Sequence, residues 1–147
     1  MTAKGDFEAE EWKEILQGPP TAGMIVLTAE SGGTFRETFA LARAYTDARK
    51  QHGESQLLDE LVSAKPEFDR HRYGSTEELH DKGLQAIGSA VSLLRAKATP
   101  EETEAYGKFV LTVASNVAAA HKEHGQQVSP KEQAALDEVR ARLETEA

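Results

Sequence analysis

The pattern Ser/Thr-x-x-Glu occurs four times in the chain, and each copy precedes a stretch with helical spacing of apolar residues. In such a capping box, the hydroxyl of the first residue accepts a hydrogen bond from the backbone N–H three residues on, and the glutamate accepts one from the first residue's own N–H. The four boxes pair Thr34 with Glu37, Ser75 with Glu78, Thr99 with Glu102, and Ser129 with Glu132. They predict four helix starts, and so a chain built from helices.

Apolar residues recur at helical spacings of three, four and seven, and no segment alternates with a period of two. We therefore predict an all-α protein, an irregular bundle of about seven helices. The predicted helices cover residues 9–17, 21–30, 35–52, 56–64, 76–97, 100–124 and 130–143. Gly18-Pro19-Pro20 is expected to end the first helix, because proline lacks the N–H that a helix interior needs. The second helix is apolar almost all round, which predicts a buried element at the centre of the bundle.

Two local features predict how the helices meet their neighbours. Phe7 and Trp12 flank the start of the first helix and are placed to form a hydrophobic staple. Gly83, Gly88 and Gly107 fall inside predicted helices, where glycine costs about 1 kcal/mol relative to alanine. We expect these glycines at close helix crossings or at a bend.

Length and composition predict a single domain spanning residues 1–147, with 39% hydrophobic and 29% charged residues. The net charge of −8 disfavours nucleic acid and anionic membranes as partners, because like charges repel. The longest apolar run, Met24 to Leu27, is too short to span a bilayer. The chain has no cysteine, and its N-terminus lacks the apolar run of a signal peptide. These features predict a cytoplasmic protein without a membrane span.

Two helix–turn–helix units share a layout of apolar helix, glycine turn, hydroxyl cap and glutamate, around Gly32-Gly33 and around Gly125. The second reads Val-Ala-x-Ala before its turn and Val-Ser-Pro-x-Glu-x-x-Ala-Leu after it, over residues 117–136. This segment resembles the TerB-like (tellurite-resistance) helical domains, and the chain is also similar to small helical bacterial proteins of unknown function. The TerB-like resemblance implies a compact all-helical unit linked to stress response, with a metal ion bound by acidic residues near the turns.

The residues near these turns include oxygen and nitrogen donors that suit a divalent metal. A hard cation would take carboxylates, and a softer one would add imidazole nitrogen. The candidate ligands are Glu30, Glu37, His121, Glu123, His124 and Glu132. The alternative is structural: two of these glutamates complete capping boxes, and the histidines suit the negative end of a helix dipole. Whether the chain binds a divalent metal or has no cofactor therefore stays open.

A second candidate site is the dipeptide His80-Asp81, which resembles the centre of HD-type metal phosphohydrolases. Such an enzyme binds a metal that activates water, and the resemblance requires an upstream histidine, His52 or His71, and a downstream aspartate, Asp137. The alternative is that His80 lies half-buried on the apolar stripe of its helix while Asp81 is solvated.

The sequence thus favours a non-enzymatic helical binding or interaction module, TerB-like and stress-related, with an unidentified protein partner or a second copy of itself. The rival hypothesis is a metal-dependent, HD-like phosphohydrolase built on His80 and Asp81. No phosphate-binding loop, nucleophile elbow or zinc-protease motif is present in the sequence.

Overall fold

The structure, a computed structural model, describes residues 4–29, 43, 45, 46, 56–63, 75–122 and 130–145. After a short 3₁₀ helix (Lys4–Asp6) come the five α-helices of the described residues. They are α1 (Ala9–Ala29), α2 (Gln56–Ser63), α3 (Thr76–Lys97), α4 (Pro100–Lys122) and α5 (Pro130–Thr145). These described residues form no strand, so the all-α prediction is confirmed. None of the described helices has the length and hydropathy to cross a membrane.

The predicted number of about seven helices is not matched, because one helix replaces the first two. α1 runs without a break from Ala9 to Ala29, and Gly18, Pro19 and Pro20 lie buried in its middle. The prediction that these residues end a helix is therefore wrong. The predicted helix 35–52 lies outside the described residues except for three positions, 43, 45 and 46.

A hydrogen bond from α4 explains why α1 continues through the prolines. Without an N–H on Pro19, the carbonyl of Ile15 loses its donor within the helix. The hydroxyl of Tyr106 donates to that carbonyl oxygen at 2.8 Å, in a fully buried position. Gly18 makes the approach possible, since a Cβ there would overlap the Tyr106 hydroxyl and lie 3.1 Å from its Cζ. Gly18, Pro19 and Tyr106 therefore act together as one packing unit.

α1 is the central element of the bundle, because it packs against α3 and α4 along its length and also contacts α5. The predicted central helix corresponds to the second half of α1, where Ala22, Ile25 and Val26 are buried. The expected close crossing at Gly83 is confirmed: a Cβ there would lie 3.0 Å from side-chain atoms of Ile25 and Thr21. α3 and α1 can approach this closely because Gly83 has no side chain.

The helix starts follow the predicted capping chemistry where the structure describes them. The Ser75 hydroxyl accepts from the Glu78 N–H at 3.1 Å, and Thr99 and Glu102 form both hydrogen bonds of the box, each 3.1 Å long. The boxes at Thr34 and Ser129 lie outside the described residues.

The predicted staple at the start of α1 is also confirmed, with 5.9 Å between the ring centroids of Phe7 and Trp12. Glu8 caps this helix through its carbonyl, which accepts from the Trp12 N–H at 2.9 Å.

Candidate functional site

Helices α3, α4 and α5 enclose a groove of about 720 Å³, which we call the α3–α4–α5 groove. Its volume lies within the range of small-molecule sites, roughly 300–1,000 Å³. The lining is mainly apolar, and its apolar residues are Val91, Ala98, Pro100, Gly107, Leu111 and Leu143. Val91 and Leu143 belong to the core, so the groove is a recess over the hydrophobic interior.

Gly107 keeps this groove open. A Cβ at Gly107 would have Leu143 Cδ2 as its nearest neighbour from another helix, at 4.0 Å. This spacing is ordinary van der Waals contact, so Gly107 does not mark a close crossing, which was one of the two roles, crossing or bend, predicted for it. The missing side chain instead leaves space between α4 and α5.

Five charged side chains surround the groove: Arg95, Glu104, Lys108, Arg140 and Glu144. Lys108 and Glu104 lie one helical turn apart on α4 and pair with each other, with 3.4 Å between Nζ and Oε1. Arg95 of α3 and Arg140 of α5 are exposed, and neither has a hydrogen-bond or ion-pair partner in the part of the chain that the structure describes. The rim carries three positive and two negative groups in a chain whose net charge is −8.

The end of α3 beside the groove is tied to the start of α1. Lys97 donates to Glu11 Oε1 at 2.6 Å, and its Nζ lies 5.8 Å from the centre of the Phe7 ring. The same Glu11 oxygen accepts from the Glu8 N–H at 2.9 Å. The hydrogen bond from Lys97, followed by that from Glu8, lowers the pKa of the Glu11 carboxyl. These contacts hold in position the helix end that leads into Ala98, one of the groove residues.

His80 and Asp81, the predicted hydrolase dipeptide, lie near the start of α3, and His80 faces α5. His80 Nδ1 lies 3.1 Å from Asp81 Oδ1, and its Nε2 pairs with Glu138 Oε2 of α5. The hydrogen bond with Asp81 is the main cause that raises the pKa of His80; burial opposes it, and the charge of Glu138 adds to the increase. Both ring nitrogens are therefore engaged by carboxylates, and His80 joins α3 to α5. His52 and His71 lie outside the described residues, and Asp137 accepts a 3.1 Å hydrogen bond from Gln133.

The metal ligands predicted near the turns stay a prediction. Outside the described residues lie Glu30, Glu37, Glu123 and His124. His121 and Glu132 belong to α4 and α5, where only their backbone is described. Within the described ranges, no group of three or more histidine, aspartate or glutamate side chains could hold a metal ion.

No protein-family model, curated protein or solved structure matches this chain. The resemblance to TerB-like domains therefore stays a prediction from the sequence. The fold and its groove define a helical-bundle protein with an apolar recess under a partly cationic rim. Sequence reasoning did not identify this groove, although Gly107, a glycine inside a predicted helix, was a signal of it.

Proposed function

We propose that the chain is a non-enzymatic helical binding module, and that the α3–α4–α5 groove is its binding site. The observation that supports this is a recess of about 720 Å³ with an apolar lining, whose rim carries two arginines without a partner among the described residues. A large apolar pocket with a few polar groups is the usual form of a ligand site. The proposal includes the cytoplasmic, stress-related role that the TerB-like resemblance implies.

The geometry of His80 supports this proposal over the hydrolase alternative. Nδ1 of His80 contacts Asp81 and Nε2 contacts Glu138, so a metal ion at Nε2 would compete with an existing ion pair. The hydrolase hypothesis still has a direct check, which is metal-stimulated phosphate release by the purified protein. Elemental analysis of untagged protein checks the predicted metal ligands in the same sample.

The groove is tested with Nile red, an uncharged dye whose fluorescence rises in apolar sites. We expect saturable binding by the wild type and its loss in Gly107→Leu, because a leucine side chain would fill the groove from α4. Ser115→Leu adds the same side chain at an exposed position of α4 outside the groove, and should leave binding unchanged. Circular dichroism of both variants establishes that they are folded. Equal dye binding in wild type and Gly107→Leu would contradict the proposal.

The sequence predicted an unidentified protein partner or a homodimer, without a surface for either. Sedimentation of the wild type and of Gly107→Leu addresses the second: a dimer formed through the groove would dissociate in the variant. A dimer that survives the substitution would use another surface.

A further inference from the structure

We propose that the α3–α4–α5 groove binds an amphipathic carboxylate, meaning a single carboxylate head on an unbranched apolar tail, such as a fatty acid. The inference rests on the proposed function, because it assigns a ligand class to the same groove. Three observations carry it: the lining, the charge at the rim, and the size.

The lining accepts an apolar chain and offers few polar partners inside. Leu111 and Ala98 are only partly buried, so covering them removes apolar surface from water. Thr103, a polar residue of the lining, already donates its hydroxyl to the Thr99 carbonyl at 3.0 Å. A ligand tail rich in hydrogen-bonding groups would find few partners here, whereas a hydrocarbon tail needs none.

The charges at the rim select one negative head group. The Lys108–Glu104 pair is neutral as a unit, which leaves Arg95, Arg140 and Glu144. These three sum to one positive charge, which matches a monoanion. Both arginines are without a partner among the described residues, and the guanidinium group suits a carboxylate because two parallel N–H donors match its two oxygens. Glu144 adds repulsion, which disfavours a head group of higher negative charge.

The size favours a small molecule over a protein helix. A stable interface with a protein buries roughly 800 Å² on each partner, whereas this recess is enclosed by parts of only three helices. Its volume of about 720 Å³ suits a single drug-sized or lipid-sized ligand.

The test compares three probes with the same twelve-carbon chain and different heads: dodecanoate, dodecanol and dodecyltrimethylammonium, each below its micelle concentration. Direct binding is measured by equilibrium dialysis. We expect dodecanoate to bind about tenfold more tightly than dodecanol, the scale of one charge-assisted hydrogen bond. The cationic probe should bind more weakly than the alcohol.

Arg95→Gln and Arg140→Gln should each remove most of the preference for dodecanoate over dodecanol while leaving dodecanol binding unchanged. Lys131→Gln is the matched control, because it removes one positive charge from an exposed position of α5 outside the groove. Gly107→Leu should abolish binding of all three probes.

The failures of the two proposals differ. Equal binding of dodecanoate and dodecanol, both lost in Gly107→Leu, would overturn the ligand class and leave the binding site standing. Failure of dodecanoate to bind, or binding that persists in Gly107→Leu, would also overturn the ligand class. Absence of Nile red binding by the wild type as well would overturn the proposed function. Specific retention of an acidic helical peptide, with no binding of dodecanoate, would replace the small molecule with a protein partner.

Discussion

The hydroxyl of Tyr106 contacts a carbonyl oxygen that an ordinary helix would satisfy by itself. Its donor role follows from Pro19, which removes the N–H that would serve Ile15. Burial above all raises the pKa of Tyr106 well above its usual value, and charge repulsion by Tyr45, when ionised, and by Glu14 adds to it, so the hydroxyl keeps its proton. A carbonyl left unpaired at this depth would cost about 1–3 kcal/mol. The Tyr106 hydroxyl therefore replaces the hydrogen bond that Pro19 removes from α1.

We expect Tyr106→Phe to lower the free energy of unfolding by about 1–3 kcal/mol, because it leaves the Ile15 carbonyl without a donor. The loss should be smaller in a Pro19→Ala background, where the alanine N–H can supply that donor. Urea unfolding of the wild type, both single variants and the double variant gives the coupling energy. If Tyr106→Phe lowers the free energy of unfolding equally in the two backgrounds, the hydroxyl does not compensate for the N–H that Pro19 lacks.

The contrast between this contact and the capping boxes shows what the sequence could reveal. A capping box joins residues three positions apart, so the pattern at Thr99 and Glu102 can be recognised along the chain. Tyr106 and Ile15 are 91 positions apart, and nothing near Pro19 indicates the partner. The helix-breaking effect of Pro19 is local, and the tertiary hydrogen bond from Tyr106 overrides it.

At the scale of the element, α3 is joined to its neighbours at both ends. Lys97 ties its C-terminal end to α1, and His80 ties its first turns to α5 through Glu138. The apolar stripe of α3 predicted a half-buried His80, and the side chain is 41% exposed. Its carboxylate partner on α5 could not be predicted, because periodicity within one helix does not show which residue of another helix lies opposite.

The link between α3 and α5 should depend on pH. The pKa of His80 is raised in the folded protein, so its contribution to stability is fully present below the unfolded value of about 6.5. That contribution is lost as the pH rises through the folded pKa. The side chain is partly exposed, so we expect an effect below about 1 kcal/mol. Urea unfolding of the wild type and His80→Gln at about pH 5.5 and about pH 8.5 measures it.

The stability difference between these two proteins should shrink at the higher pH. Glu138→Gln should reduce the same pH dependence, because the carboxylate on α5 is part of its cause. A difference between wild type and His80→Gln that stays constant with pH would refute a charged His80 link.

At the scale of the whole molecule, α1 forms the centre around which α3, α4 and α5 pack. The apolar pattern of residues 21–30 predicted this position, because a helix without a polar face must be covered on all sides. The groove could not be predicted in this way. It depends on which core-facing surface the neighbouring helices leave uncovered, and that is set by crossing geometry rather than by spacing within any one helix.

Ile25→Asp tests the central position of α1. Ile25 is 2% exposed, and a carboxylate there would be buried without a partner, so we expect loss of more than about 4 kcal/mol or failure to fold. Gln85→Asp introduces the same residue at an exposed position of α3 and should change stability by less than about 1 kcal/mol. Thermal unfolding followed by circular dichroism compares them. Wild-type stability of Ile25→Asp would show that this part of α1 is not the core.

The hydrogen bond between Tyr106 and Ile15 also bears on the order in which the chain acquires its structure during synthesis. Residue 15 leaves the ribosome long before residue 106, because translation proceeds from the N-terminus. Until then the Ile15 carbonyl has no donor within α1. A helix in a protein also owes most of its stability to packing against other helices. α1 is thus made before α4 but completes its hydrogen bonding only after α4 is present. Its apolar residues await α4, so the bundle should assemble late and as a unit.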